Sequence, residues 1–179
     1  TVCLSDAFSL QIEKGSDATY NFSLQQSDRA GNLSPSVALQ WVRDTVAPNA
    51  PLITSPSVNP YSSSSSIVSL QGSCETGALV NLSGDATGSV NCSGGVFSFP
   101  VSKSSDGFYQ LIVTQTDAAG NTSVSRGLTW NRDTQAPAAP SVTSPSVSPY
   151  VANANQITVT GVCEVGSTVS YSGAASGSV

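Results

Sequence analysis

Hard oxygen donors recur along this chain at one fixed interval, and the chemistry they suit is the holding of a divalent cation. Asp44, Glu75, Asp117 and Asn121 offer carboxylate and amide oxygens from separate stretches of sequence. Asp133 and Glu164 stand 89 residues beyond Asp44 and Glu75, and Asp28 stands 89 residues before Asp117. Oxygen sets of this kind suit Ca²⁺, which takes about six to eight such ligands. A second reading needs no ion. In Asp-x-x-Gly-Asn the Asp accepts backbone amides and Gly-Asn tolerates positive φ, which makes an ordinary turn. Asp44 could likewise pair with Arg43 or Arg126 in a surface bridge of small energy. Both readings are open on the sequence.

Cysteine is the other reactive residue type. Cys3, Cys74, Cys92 and Cys163 obey the same interval, since Cys92 follows Cys3 and Cys163 follows Cys74 by 89 residues. No Cys-x-x-Cys spacing occurs and the chain has no His, so a zinc site is not indicated. The economical reading is a Cys74–Cys92 disulfide formed in an oxidising compartment; the alternative is a pair of buried thiols. Cys3 and Cys163 then lack partners at the expected spacing, which leaves them for an inter-chain bridge or for partners outside the sequence.

Catalysis is not expected. A Ser or Cys nucleophile needs a base, and no His is present to act as one. No Gly-rich phosphate loop follows a strand and opens a helix. The acids could in principle act as a glycosidase pair, but they recur with the repeat and so mark no unique cleft. No organic cofactor is implied. The net charge of −5 and pI near 4.3, with six dispersed Lys and Arg residues, argue against a nucleic-acid partner. No apolar run approaches the length of a membrane span, so none is expected in this segment. Thr1 opens no leader and falls inside a repeat, which reads as an internal piece of a longer chain.

The elements that must position these residues follow from the interval itself. Trp41-Val42-Arg43-Asp44-Thr45 returns as Trp130-Asn131-Arg132-Asp133-Thr134, and Asp28-Arg29-Ala30-Gly31-Asn32 returns as Asp117-Ala118-Ala119-Gly120-Asn121. A gapless period of 89 predicts tandem copies of one small domain, each adjacent to an identical repeat. Within residues 45–133, alternating apolar sets predict short strands: Val68, Leu70, Gly72 and Cys74; Val80 and Leu82; Phe97, Phe99 and Val101; Tyr109, Leu111 and Val113; Leu128 and Trp130. Phe8, Leu10 and Ile12 are the first-copy counterparts of the Phe97 set, and Tyr20, Phe22 and Leu24 those of the Tyr109 set. Turns are expected at Gly72, Gly77, Ser83-Gly84-Asp85, Ser93-Gly94-Gly95 and Asp106-Gly107. No stretch has helical periodicity. Six or seven short strands in this spacing read as an antiparallel β-sandwich.

Proline-rich joints, Ala47-Pro48-Asn49-Ala50-Pro51 and Ala136-Pro137-Ala138-Ala139-Pro140, set the boundaries and should be stiff and extended. Residues 45–133 then form a complete repeat. Residues 1–44 match the second half of a repeat and residues 134–179 the first half. Either the chain is a window on a longer filament, or its half-domains complete each other between neighbours, head to tail. The first explanation needs no special assembly and is preferred.

The combination of Asp-x-Ala-Gly-Asn-x-Ser, a Trp-terminated strand, Asp-Thr-x-Ala-Pro-x-Ala-Pro and Gly-x-Cys-Glu-x-Gly resembles the bacterial Ig-like repeats of giant surface adhesins. The resemblance spans the whole chain, and the cysteines depart from it, since Ala often stands before the Glu in that family. It implies an all-β fold of tandem Ig-like antiparallel β-sandwich domains, end to end, at the bacterial cell surface. In a sandwich with that strand order, Glu75, Asp117 and the incoming Asp44 would converge at one joint, with Asn121 adding oxygen. Similar sets in the resembled adhesins bind calcium and stiffen the rod.

The expected function is therefore a rigid extracellular spacer, stiffened by proline joints, disulfides and Ca²⁺. Two other functions compete with it: a glycan- or host-protein-binding Ig-like module of unknown ligand, and a filament subunit completed head to tail by neighbouring half-domains. Tyr109 and Tyr20 are placed like a tyrosine corner. Trp41 and Trp130 alternate with core residues and are read as packing rather than as a sugar platform. Ser62 to Ser66 read as a solvated loop whose hydroxyls could carry glycans.

Overall fold

The computed structural model describes residues 6–179, and Cys3 lies outside the described residues. The chain is all-β, with no helix among the described residues. Thr1–Asp133 and Thr134–Val179 are separate compact units.

The first part of the chain carries one antiparallel pair, β1 (Ala18–Leu24) and β2 (Val37–Arg43). Tyr20 lies opposite Trp41 in this pair, and their ring centroids are 5.6 Å apart. The alternating stretch Phe8-Ser9-Leu10-Gln11-Ile12 forms no strand, although the pattern predicted one. A strand needs a neighbour to take its backbone hydrogen bonds, and Phe8–Ile12 pairs with no strand among the described residues.

Residues 45–133 hold eight strands: β3 (Leu52–Ser55), β4 (Tyr61–Ser63), β5 (Ile67–Ser73), β6 (Leu79–Gly84), β7 (Gly88–Asn91), β8 (Val96–Ser102), β9 (Gly107–Thr116) and β10 (Arg126–Arg132). They form a three-stranded sheet in the order β3-β5-β8 and a five-stranded sheet in the order β4-β10-β9-β6-β7. All pairings are antiparallel except β4 with β10, which is parallel. Period-two alternation turns one row of each strand inward. Val68, Leu70, Phe97, Phe99 and Val101 from the smaller sheet join Val80, Leu82, Leu111, Val113, Leu128 and Trp130 from the larger in a single buried cluster. The two sheets therefore face each other in a sandwich-like arrangement. Each fully buried side chain of this size contributes about 1.5–3 kcal/mol over exposure.

Two expectations need correction here. Gly72 is not a turn; it lies inside β5 and faces the core. A β-carbon at that position would sit 1.9 Å from the Leu52 carbonyl oxygen and 2.6 Å from the Phe97 ring. Glycine is thus what lets β3 and Phe97 close over β5. The Ser62–Ser66 run is not wholly loop either. Ser62 and Ser63 belong to β4 and pair with Asn131 and Arg132, while the Ser65 hydroxyl accepts the Ile67 amide at 3.1 Å.

The second unit carries two antiparallel pairs, β11 (Ser141–Ser144) with β12 (Thr160–Val162) and β13 (Ser170–Tyr171) with β14 (Gly177–Ser178). Gly161 repeats the close approach of Gly72, with a β-carbon position 2.1 Å from the Ser141 carbonyl oxygen.

Candidate functional site: a clamped proline linker

The two Asp-x-x-Gly-Asn turns fold alike because Gly31 and Gly120 take φ values of 87° and 93°, a region glycine enters without steric cost. Asp117 Oδ1 accepts the amides of Ala119 at 2.8 Å and Asn121 at 2.9 Å, while Oδ2 accepts Asn121 Nδ2 at 2.9 Å. Asp28 does the same with Ala30 and Asn32. These bonds favour the charged carboxylate. The Asn121 side chain is the chief influence holding Asp117 below the usual carboxylate value of 3.8, and the Asn32 side chain is the chief one for Asp28.

Asn121 also reaches out of its own turn. Its Nδ2 donates to the Asp44 carbonyl oxygen at 3.2 Å, fixing the start of the proline linker. Further along the linker, the Asn49 carbonyl accepts Gln115 Nε2 at 2.6 Å. Gln115 is buried, and its Oε1 accepts the Glu75 amide at 2.8 Å. One amide side chain thereby ties the linker to the turn that follows Cys74. Pro48, between these two bonds, and Pro51, two residues past the second, are both buried.

The other side of the linker is held by Asp17, just before β1. Asp17 forms an ion pair with Arg43, and its second oxygen accepts the Thr45 hydroxyl at 2.7 Å and the Thr45 amide at 3.1 Å. The Thr45 hydroxyl is the leading cause that keeps Asp17 below the ordinary carboxylate value. Residues 44–51 are thus hydrogen-bonded to the β1–β2 segment on one side and to the eight-stranded segment on the other.

The expected calcium ligands are not gathered into a cation site. Among the described residues no group of three His, Cys, Asp or Glu side chains is placed to hold a metal ion. Asp117 is turned onto its own loop, and Asn121 presents an N–H donor to the joint where a ligand oxygen would be needed. Asp44 Oδ1 accepts the Val46 amide at 2.9 Å rather than pairing with Arg43, whose partner is Asp17. Glu75 is exposed and takes part through its amide. Asp133 donates its amide to the Ser63 carbonyl, and the Glu164 carbonyl accepts from Ser167. The turn reading accounts for Asp28, Asn32, Asp117 and Asn121.

Cys74 and Cys92 form a disulfide, and Cys163 is an exposed free thiol. The Tyr109 and Tyr20 hydroxyls each donate 2.8 Å bonds to a carbonyl four residues upstream, Ser105 and Ser16, which ties each strand start to its preceding loop. Trp130 is fully buried, with Nε1 donating to the Ser63 hydroxyl at 3.2 Å. A groove of about 310 Å³, lined by Pro56, Val58, Tyr61, Ile67 and Ser69 among others, has no charged residue in its wall. No helix of the described residues is long and apolar enough to cross a membrane.

Asp17, Thr45 and Gln115 were not among the candidates drawn from the sequence. Gln115 had a signal. It follows Leu111 and Val113 in the inward register of β9, and a polar side chain there must find buried partners. Asp17 and Thr45 had one too, since they recur 89 residues on as Asp106 and Thr134, and Asp106 pairs with Arg132 as Asp17 does with Arg43.

The acid behaviour of these carboxylates can be tested. Their folded values lie below the unfolded value of about 3.8–3.9, so the stability they contribute is complete above that pH and is lost as pH falls through the lower folded values. Thermal melts of the chain should shift downward on acidification below about pH 4. Asp117→Ala should lower the neutral-pH melting temperature and flatten that acid dependence. An unchanged profile in the variant would show that the turn carboxylate contributes nothing.

Comparison with family models and with curated proteins matches none of them.

Proposed function

We propose that this chain is part of an extracellular bacterial surface rod of tandem Ig-like domains, acting as a rigid spacer. The observation that carries the reading is the linker at residues 44–51, bonded on one side by Asp17 and on the other by Asn121 and Gln115. A linker free to swivel needs no such bonds, and each one restricts the joint further. Buried Pro48 and Pro51 add to this by removing backbone freedom where the chain docks. The 89-residue recurrence of the turns, the Tyr–Trp pairs at 5.6 Å and the Asp–Arg ion pairs supports a repeated unit. The Ig-like resemblance and the Cys74–Cys92 bridge support an oxidising, extracellular setting.

In this reading stiffness comes from protein hydrogen bonds, and Ca²⁺ is not required for it. Small-angle scattering tests both clauses. The wild-type chain should scatter as a particle with a fixed maximum dimension, unchanged by EDTA. The double variant Asp17→Ala, Asn121→Ala should scatter as a flexible one. Flexible scattering from the wild type would sink the spacer reading. A change of dimensions or melting temperature in EDTA would restore calcium at the joint.

A further inference from the structure

Among the described residues, the two sheets of residues 45–133 end in four edge strands: β3 and β8 on the smaller sheet, β4 and β7 on the larger. The outer amides and carbonyls of an edge strand can template the pairing of another chain. Three of these edges are short. β4 has three residues and β7 four, and β3 has four with a register shift between Ile53 and Ser55. β8 is the long one, with seven residues paired to β5 alone among the described strands.

The composition of β8 makes an open edge hazardous. Val96, Phe97, Phe99 and Val101 are strong strand formers, and no charged residue lies between Asp85 and Lys103. Segments of high strand propensity and low charge pair readily with copies of themselves. A charge on the strand is one common guard against this, and β8 carries none. At its centre stands Pro100.

The register fixes what that proline does. Cys74 donates its amide to Gly95 and Lys103 donates its amide to Ser66, at the two ends of an unbroken β5–β8 ladder. Antiparallel partners alternate between hydrogen-bonded and non-hydrogen-bonded pairs, so Phe97, Phe99 and Val101 turn their amides toward β5. Ser98, Pro100 and Ser102 face the open edge, and all three are exposed. Proline has no N–H to donate. Opposite Ser69 its ring therefore breaks no bond to β5, and it removes the middle donor of the three on the open side. A proline at residue 99 or 101 would instead break the ladder.

We infer that Pro100 keeps the β8 edge from pairing with β8 of a second copy of this chain. Two identical strands meeting antiparallel are related by a twofold axis. Centred on residue 100, the pairing sets Ser98 against Ser102 of the second copy and the two prolines against each other, where neither can donate. With Pro100→Thr the same pairing closes all of its bonds. A second copy is the partner at issue because β8 is uncharged, so nothing in the strand repels its own kind. In residues 6–44 the equivalent positions differ: Gln11 stands where Pro100 does, and Glu13 sets a charge where Ser102 stands. The inference rests on residues 45–133 alone and is independent of the spacer reading.

Sedimentation velocity and amide hydrogen exchange on the full chain test the inference. Pro100→Thr should raise the weight-average mass toward twice the wild-type value as concentration increases. The double variant Ser98→Pro, Pro100→Thr moves the proline to another outward-facing amide, and its mass should return to the wild-type value. The Ser98 and Ser102 amides should gain protection in the associated Pro100→Thr chain. In the wild type they should exchange faster than the amides of Phe97, Phe99 and Val101. A Pro100→Thr chain with wild-type mass at every concentration overturns the inference. So does association that persists in the double variant, or that leaves Ser98 and Ser102 unprotected. The wild-type exchange needs no variant to fold, and protection of Ser98 and Ser102 there overturns the inference as well. None of these outcomes would alter the scattering result for the linker.

Discussion

Trp130→Ala should unfold residues 45–133 more readily than any other single truncation in the chain. Trp130 is the largest fully buried side chain and packs among Leu111, Leu128 and Tyr109, with ring centroids 5.6 Å apart in the tyrosine pair. Truncating such a residue removes its transfer energy and leaves a cavity, a loss of about 3–5 kcal/mol. For a segment of this size that corresponds to a fall of at least about 12 °C in the calorimetric midpoint. The Ser63 hydroxyl also loses its indole donor, which loosens β4 from β10. Trp41→Ala is the internal control. Trp41 has the same partner residue in Tyr20 but is only half-buried, so its truncation should leave the main transition within about 1 °C. Equal effects from the two tryptophans would mean that residues 6–44 and 45–133 melt as one cooperative body.

Removing the Cys74–Cys92 bridge should cost about 3 kcal/mol. The bridge closes a loop with a sequence separation of 18, and shortening the unfolded chain's freedom over such a loop accounts for that magnitude. The Cys74→Ser, Cys92→Ser variant should show a lower urea midpoint than the oxidised wild type, and dithiothreitol should bring the wild type down to meet it. A variant as stable as the oxidised parent would show that the turn at Glu75–Gly77 is held without the bridge. The bonds available for that are Cys74 N to Gly95 O, Gly77 N to Cys92 O and Cys92 N to Ala78 O, at 2.8–3.0 Å. They lie on either side of the disulfide and depend on its geometry only in part.

The strands of residues 45–133 were legible because burial on one face leaves a period-two trace. Val68 and Leu70, Phe97, Phe99 and Val101, and Leu111 with Val113 all lie inward as their alternation required. The disulfide was legible because cysteine is rare and its interval matched the repeat. The pairing of β4 with β10 was not legible. Serine carries no inward signal, and a parallel contact between residues 61 and 130 is invisible to any local pattern. Phe8 to Ile12 show the converse failure, a strand pattern that pairs with no strand among the described residues. Side-chain hydrogen bonds gather at the joint, and two of their sources, Asp17 and Gln115, were not singled out by the sequence. Residue type and strand order put Asp44, Glu75 and Asp117 near one end of the sheet. They say nothing about where each carboxylate points, and local amides took Asp44 and Asp117 first. Gln115, which lacks a charge, carries more of the linker than Glu75 does.

The parallel pairing of β4 with β10 has a mechanical consequence. Tension along the chain draws β4 toward the linker and β10 toward residue 133, in opposite senses along neighbouring strands. The bonds between Tyr61–Ser63 and Trp130–Arg132 are then loaded together in shear, not opened one after another like a zip. Should they yield, the Cys74–Cys92 bridge withholds the loop it encloses from extension, roughly 60 Å of contour at about 3.3–3.6 Å per residue. A pulled chain would resist sharply, lengthen by a limited step, and keep its innermost turn closed.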